Sequence, residues 1–328
     1  MELALATDWG ILENSPESME EQLQKLNAAG VTHVHWAYDW DFEYAYSKWE
    51  MIQIKELLDK YHIKVKGVHA TEGNTRCRVK GGKPVLLNRT RMRDNRKDIT
   101  SPHEYNRLAG VELVQNRVDL AHLLGATEIV LHLVVPYEDF ENIPGFKEKW
   151  YEQVFKSFDA LEPYCKAMGV RIAIENMICT PAPYQFEKLD RLFARYDKDY
   201  MGFCCDTGHA ALVTDAVAFL ERYYDRLIAM HLDDNHGVNR TLSEDPDGAV
   251  QKSDAHIIPY QGVCDWDKIC EYIAKSPYTL PLTLEVTVPH STLEEERQGL
   301  LDLIKAGERL TNKVLEYRAK LPESITGG

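Results

Sequence analysis

Eight short apolar runs recur along the chain, each followed by a longer segment with helical spacing. That alternation restricts the fold more than any other feature. The runs are "LALATD", "THVHWAY", "KVKGVHA", "EIVLHLVV", "VRIAIEN", "YMGFCCD", "LIAMHLDD" and "LPLTLEV". Between them lie amphipathic segments such as "SMEEQLQKLNAAG", where Met19, Leu23 and Leu26 share one helical face and Gly30 stops the helix. In "SPHEYNRLAGVELVQNRVDLAHLLG", Ser101 is placed to cap, Pro102 sits in the first turn and Glu104 completes a capping box. The segment "EKWYEQVFKSFDALEPYCKAMG" ends at Gly169. Strands that alternate strictly with helices run parallel, because each needs a crossover helix to return. Wholly apolar strands fit a sheet covered on both faces. No GxGxxG follows any run, which argues against a doubly wound open sheet. Eight units close into one (β/α)8 TIM-type barrel, expected to span residues 1–328 as a single α/β domain.

Composition sets the surroundings. Of 328 residues, 44% are hydrophobic and 27% charged, enough to build a sizeable core. No apolar stretch approaches the roughly 20 residues that cross a bilayer. The opening "MELALATDWG" has no basic segment before its apolar run and reads as a first strand. Seven cysteines without a CxxC pair do not make a disulfide framework, so a reducing cytoplasm is expected. Cys204 and Cys205 read as small buried residues. A net charge of −14 disfavours nucleic acid as a partner. One segment reverses that charge: from Arg76 to Lys97, nine basic residues face the single acid Asp94. It reads equally as a solvated loop and as a lid or contact for something acidic. Two long loops, at about 70–100 and 237–262, follow strands and therefore sit at the C-terminal face, where barrel active sites are built.

The strands end in side chains able to bind metals. Strand three ends at His69, strand four at His132, strand five at Glu175 and strand six at Asp206, with His209 just beyond. Strand seven ends at His231 and strand eight at Glu285, while Asp254 and His256 stand in the second long loop. Singly, each has an ordinary explanation; Asp206 could simply cap the helix after it. Together they converge on the barrel axis, and so many carboxylates and imidazoles in one apolar mouth repel or stay undersolvated unless a cation holds them. Glu, Asp, His and Glu make a mixed oxygen and nitrogen shell suited to one divalent ion, Mn²⁺ before Co²⁺, Mg²⁺ or Zn²⁺. His33 and His35 lie on strand two, with one of the pair expected to point into the barrel. Trp9, Trp36, Tyr260 and Trp266 could stack on a bound ring, Trp36 foremost, or pack the barrel end.

The succession "IAIEN", "FCCDTGHA", "AMHLDD", "SDAHIIPYQGVCDW" and "LTLEV" resembles the motifs of the xylose-isomerase-like barrel superfamily. Sugar isomerases and epimerases belong to it, as do apurinic endonucleases of the endonuclease IV type. In the isomerase branch, the resemblance implies one divalent ion held by Glu175, Asp206, His231 and Glu285, with the two glutamates also moving protons. In the endonuclease branch it implies a three-zinc cluster, and His69, His132, Glu175, Asp206, His209, His231, Asp254, His256 and Glu285 match that pattern by type. Departures favour sugar chemistry: Gly208 replaces a usual Cys, Pro259-Tyr260-Gln261 replaces a "GEG" turn, and "LSEDPDG" adds acids near the mouth. The chain also resembles C-glycoside deglycosidase catalytic subunits, which eliminate from 3-oxo-glycosides and work with a small β-type partner.

The expected chemistry is removal of a proton beside the carbonyl of a keto-sugar or sugar derivative. Glu175, Glu285 and His132 are the candidate proton-transfer groups. His69, His209, Asp254, His256 and Trp36 are the candidate substrate contacts. The expected partner is a small sugar or glycoside, with a homo-oligomer or a small β-type subunit left open and no membrane.

Overall fold

The computed structural model describes residues 3–7, 19–38, 44–71, 97–178, 180–237 and 253–322. Trp9, most of the basic segment from Arg76 onward and the "LSEDPDG" insertion lie outside them. All eight apolar runs form strands: β1 (Ala4–Ala6), β2 (His33–Trp36), β3 (Lys64–His69), β4 (Glu128–Leu131), β5 (Arg171–Glu175), β6 (Met201–Asp206), β7 (Leu227–His231) and β8 (Thr283–Leu284). Every pairing is parallel, and β8 returns to pair with β1. Past the last strand residues, the Leu232 N–H donates to the Thr283 carbonyl at 3.0 Å and the Glu285 N–H to the Leu232 carbonyl at 3.3 Å, joining β7 to β8. The expected barrel is the observed one.

Ten α-helices lie between and after the strands among the described residues: α1 (Met19–Ala28), α2 (Lys48–Lys60), α3 (Glu104–Leu124), α4 (Tyr137–Asn142), α5 (Phe146–Met168), α6 (Ala182–Arg195), α7 (Thr207–Val213), α8 (Ala216–Tyr223), α9 (Trp266–Lys275) and α10 (Leu293–Arg318). Leu23 and Leu26 bury the inner face of α1, as their spacing requires. Gly169 ends α5 at φ +65°, a left-handed turn that glycine adopts without strain. The start of α3 departs from expectation. His103 occupies the cap position, Ser101 Oγ accepts from the His103 N–H at 3.1 Å, and Glu104 pairs with Arg107. The tight turn of residues 98–101, tied by Asp98 to Thr100, leaves Ser101 outside the helix, so no capping box forms.

The apolar core has two parts. A large layer fills the space between strands and helices, and a small cluster of Val130, Ala173, Cys204, Ile228 and Ala229 lies apart from it. Cys204 belongs to the small cluster and its neighbour Cys205 to the large one, because adjacent strand residues point to opposite faces. No helix among the described residues is long and apolar enough to cross a membrane.

Candidate metal centre

Parallel strands end together, so the last residues of β5, β6 and β7 and the residue after β8 meet at one mouth. Glu175, Asp206, His231 and Glu285 each bring one ligand atom, all within 4.8 Å of one another. His231 Nδ1 lies 2.9 Å from Glu285 Oε2, 3.4 Å from Glu175 Oε1 and 3.8 Å from Asp206 Oδ2. Despite that closeness, His231 Nδ1, both Glu175 oxygens and Asp206 Oδ2 are buried without a partner in hydrogen-bond geometry. Orphaned donors and acceptors of this kind are costly in an apolar interior, and a divalent cation among them removes the cost. Three carboxylates and an imidazole fit such an ion.

Asp206 serves two ends. Its Oδ1 caps α7, accepting from the His209 N–H at 2.7 Å, while its Oδ2 faces the other ligands. The cap reading is observed, and the same residue also stands in the candidate ligand group.

Histidines crowd Glu175. His132 Nε2 stands 3.1 Å from Glu175 Oε2, His69 Nε2 is 3.6 Å from the same oxygen, and His209 Nδ1 is 3.2 Å from Oε1. Beyond them lies a second group, His209, Asp254 and His256. Asp254 Oδ2 approaches His209 Nε2 at 3.4 Å and His256 Nε2 at 3.2 Å. Every residue expected at the site from the sequence is here except Trp36. The strand pleat turns Trp36 away from the mouth; it is fully buried and its Nε1–H donates to the Tyr46 hydroxyl at 3.3 Å. Trp36 therefore packs the core between strands and helices. Trp266 is likewise buried, donating to Asp234 Oδ2 at 2.8 Å, and Tyr260 lies under the Arg309 guanidinium.

Charge and burial set the protonation of the group. Burial lifts Asp206 to about 7, with Glu175 and Glu285 adding to the shift and His209 opposing it. Burial also pushes Glu285 and Glu175 upward, but His231 and its neighbours outweigh it and hold both below the usual carboxylate range. His132 falls to about 4, chiefly by burial. In His209 and His256 burial works downward, yet the carboxylates prevail and raise both.

Several residues important to the site were not marked by the sequence. Lys188 on α6 is fully buried and donates to the carbonyls of Leu133 and Glu175, at 3.0 and 3.1 Å. Asn176 donates to the Asp206 carbonyl at 2.8 Å and accepts from the Asp206 N–H at 3.0 Å. Thr207 Oγ1 bonds both backbone groups of Asp233. Asn235 accepts from the Ala255 N–H at 2.7 Å and donates to Asp254 Oδ1 at 3.3 Å. Asp234 accepts from the N–H groups of Tyr260 and Cys264 and from Trp266 Nε1. These bonds stitch β4 to β5, β5 to β6, β6 to β7, and β7 to the loop that carries Asp254 and His256. "HLDDN" signals such a cluster only by its run of polar residues after an apolar strand.

His33 and His35, two residues apart, share a face of β2, so the expectation that one alone points inward fails. His35 reaches the mouth and lies against His231. His33 lines a cavity of about 410 Å³ with Lys64, Lys66 and Thr279.

A model of the xylose isomerase-like TIM barrel family matches residues 23–306. Uncharacterized protein y4fM of Sinorhizobium fredii (strain NBRC 101917 / NGR234) is 32% identical over 281 residues, covering 85% of this chain and 84% of that protein. An inosose dehydratase of Bacillus cereus (strain AH820) is 25% identical over 178 residues, covering 51% of this chain and 59% of the dehydratase. Among solved structures, a D-tagatose 3-epimerase-like protein superposes with a TM-score of 0.64 at 16% identity, covering 98% of this chain and 100% of that one. At that identity the likeness is one of fold.

Proposed function

Because the chain belongs to the xylose isomerase-like TIM barrel family, we propose that it is an enzyme of sugar isomerase or epimerase type. In this reading it abstracts the proton beside the carbonyl of a keto-sugar or sugar derivative. The observation that carries the reading is the set of Glu175, Asp206, His231 and Glu285, whose ligand atoms converge within 4.8 Å while four of their buried polar atoms lack partners. One divalent ion, Mn²⁺ before Co²⁺, Mg²⁺ or Zn²⁺, would be held there and would supply Lewis-acid stabilisation of negative charge developing on substrate oxygens.

The protein's own groups do the rest. Glu285, the one of the three carboxylates that is slightly open, is the base nearest an entering substrate. Glu175, beneath it, is the second proton-transfer carboxylate, and His132 at 3.1 Å is placed to pass a proton to or from it. His132 stays neutral at working pH because burial lowers it to about 4, so it serves as an acceptor or relay. His69, His209, Asp254 and His256 ring the mouth and orient substrate hydroxyls. A dehydratase among the relatives fits the same first step, since elimination also begins with loss of the proton beside a carbonyl. A C-glycoside deglycosidase subunit, acting with a small partner, would use the same groups.

Solvent-deuterium exchange tests the reading. Ketohexoses and inososes are incubated with the Mn²⁺-loaded enzyme in D2O and examined by NMR. Deuterium should enter at the carbon beside the carbonyl of at least one substrate, and Glu285→Gln should abolish it. No exchange in any of them, or full exchange in Glu285→Gln, contradicts the assignment.

A second reading rests on one specific observation. His69, Glu175 and His231 form a candidate ligand group that shares Glu175 and His231 with the four-residue group, and His209, Asp254 and His256 form a separate one. Three such groups are what a trinuclear endonuclease centre would need, and three ions per chain would favour that chemistry.

A further inference from the structure

His35 is a buried histidine for which the proton-transfer reading has no use. From β2 it reaches across the barrel to β7, where its Nε2 lies 3.2 Å from Nε2 of His231. Its ring meets those of His231 and His69 edge-on, with centroids 4.8 and 5.9 Å apart. Gly67 makes the space: a Cβ there would stand 3.0 Å from His35 Nδ1, tighter than side chains normally pack. His35 itself belongs to none of the candidate ligand groups among the described residues. Its position behind the ligand is therefore maintained for something other than coordination.

Two ring nitrogens 3.2 Å apart share one proton, and the direction of that bond decides what His231 can do. If His35 donated, the proton of neutral His231 would sit on Nδ1, pointing at Glu285, Glu175 and Asp206. There it would meet Glu285 Oε2 at 2.9 Å and be closed to a cation. If His231 donates from Nε2, Nδ1 carries a lone pair toward the three carboxylates, as a ligand requires. We propose that His35 is a positioning residue for His231: its Nε2 accepts the His231 Nε2–H and fixes the tautomer that leaves Nδ1 free to bind a cation. This role rests on the reading that the four-residue group holds a divalent ion. Metal-bound histidines generally donate their second N–H to a carboxylate or carbonyl. Here a neutral imidazole takes that place, orienting the ligand without adding a fourth negative charge to a site that already has three.

The test is a Co²⁺ titration of chelator-treated wild type, His35→Gln and His35→Met, followed by visible absorption and calorimetry. Gln and Met have similar shapes, but only the Gln amide oxygen is a good acceptor for the His231 N–H. His35→Met should bind about 10–100-fold more weakly and show shifted ligand-field bands, while His35→Gln should recover most of the affinity and the wild-type bands. His35→Met binding as tightly as wild type with unchanged bands overturns the proposal. Equal weakening in both variants also overturns it, because packing rather than acceptance would then be at work. If His35→Met does not fold by circular dichroism, His35→Leu is read in its place. A wild-type chain that takes up no Co²⁺ sinks the metal reading itself and carries this inference with it.

Discussion

Asp206 divides its two oxygens between local structure and chemistry, and that division makes it testable. Oδ1 caps α7 through the His209 N–H at 2.7 Å, and Oδ2 faces the other candidate ligands. Asn keeps an oxygen for the cap and loses the charge; Ala loses both. In the metal-free chain, Asp206→Asn should therefore be more stable than Asp206→Ala by about 1 kcal/mol on urea unfolding, while both lose most of their metal affinity. Equal stabilities would show that the cap contributes nothing. The same residue sets a pH dependence. Burial raises Asp206 to about 7, so as pH falls through 7 in the metal-free chain the carboxyl takes up a proton that an ion must displace. His231, raised by the surrounding carboxylates against the effect of burial, must lose a proton too, which acts in the same direction. Metal affinity should be weaker at pH 6 than at pH 8, with net proton release seen by calorimetry in two buffers. An affinity flat across that range contradicts this account. That Asp206 belonged to the site was legible from its place at a strand end. Its double use was not, because a cap and a ligand are written with the same letter.

Each strand is visible in the sequence for a simple reason: a parallel strand covered on both faces is an unbroken apolar run, and its polar last residue marks the mouth. Helix ends at Gly30 and Gly169 were legible for the same local kind of reason, since a left-handed terminus calls for glycine. The start of α3 was not, because Ser101 had a competing turn to serve. The parity of His33 and His35 was in the sequence and points both to one face. Less accessible were Lys188, Asn176, Thr207 and Asn235, which act on the backbone of a neighbouring strand or loop. Such bonds depend on register and crossing positions that no local pattern encodes. Gly208 illustrates the point. Its N–H donates to Asp233 Oδ1 at 2.9 Å, and a Cβ on it would stand 2.1 Å from Asp233 Oδ2 and 2.6 Å from Asn235 Nδ2. Gly208→Ala should destabilise the chain by about 1–3 kcal/mol through overpacking and, by pushing on Asp233 and Asn235, weaken metal binding. A variant with unchanged unfolding midpoint and unchanged affinity would show that this junction is free to relax.

At the scale of the whole molecule, barrel closure turns a list of strand ends into a site. Residues as distant in sequence as His35 and His231, 196 positions apart, become neighbours only because β8 returns to β1. The fold could be read from eight alternations, and the candidate ligand group from the residues that end them. The exclusion of Trp36 could not, since the pleat phase of β2 had to be fixed first. The central claim is that these ends hold a divalent ion. Metal content by mass spectrometry, on chain purified without chelator beside an Asp206→Asn preparation, tests it most directly. The account predicts close to one divalent ion per chain, largely lost in Asp206→Asn. A chain that carries no ion, or one whose ion content is indifferent to Asp206, contradicts it.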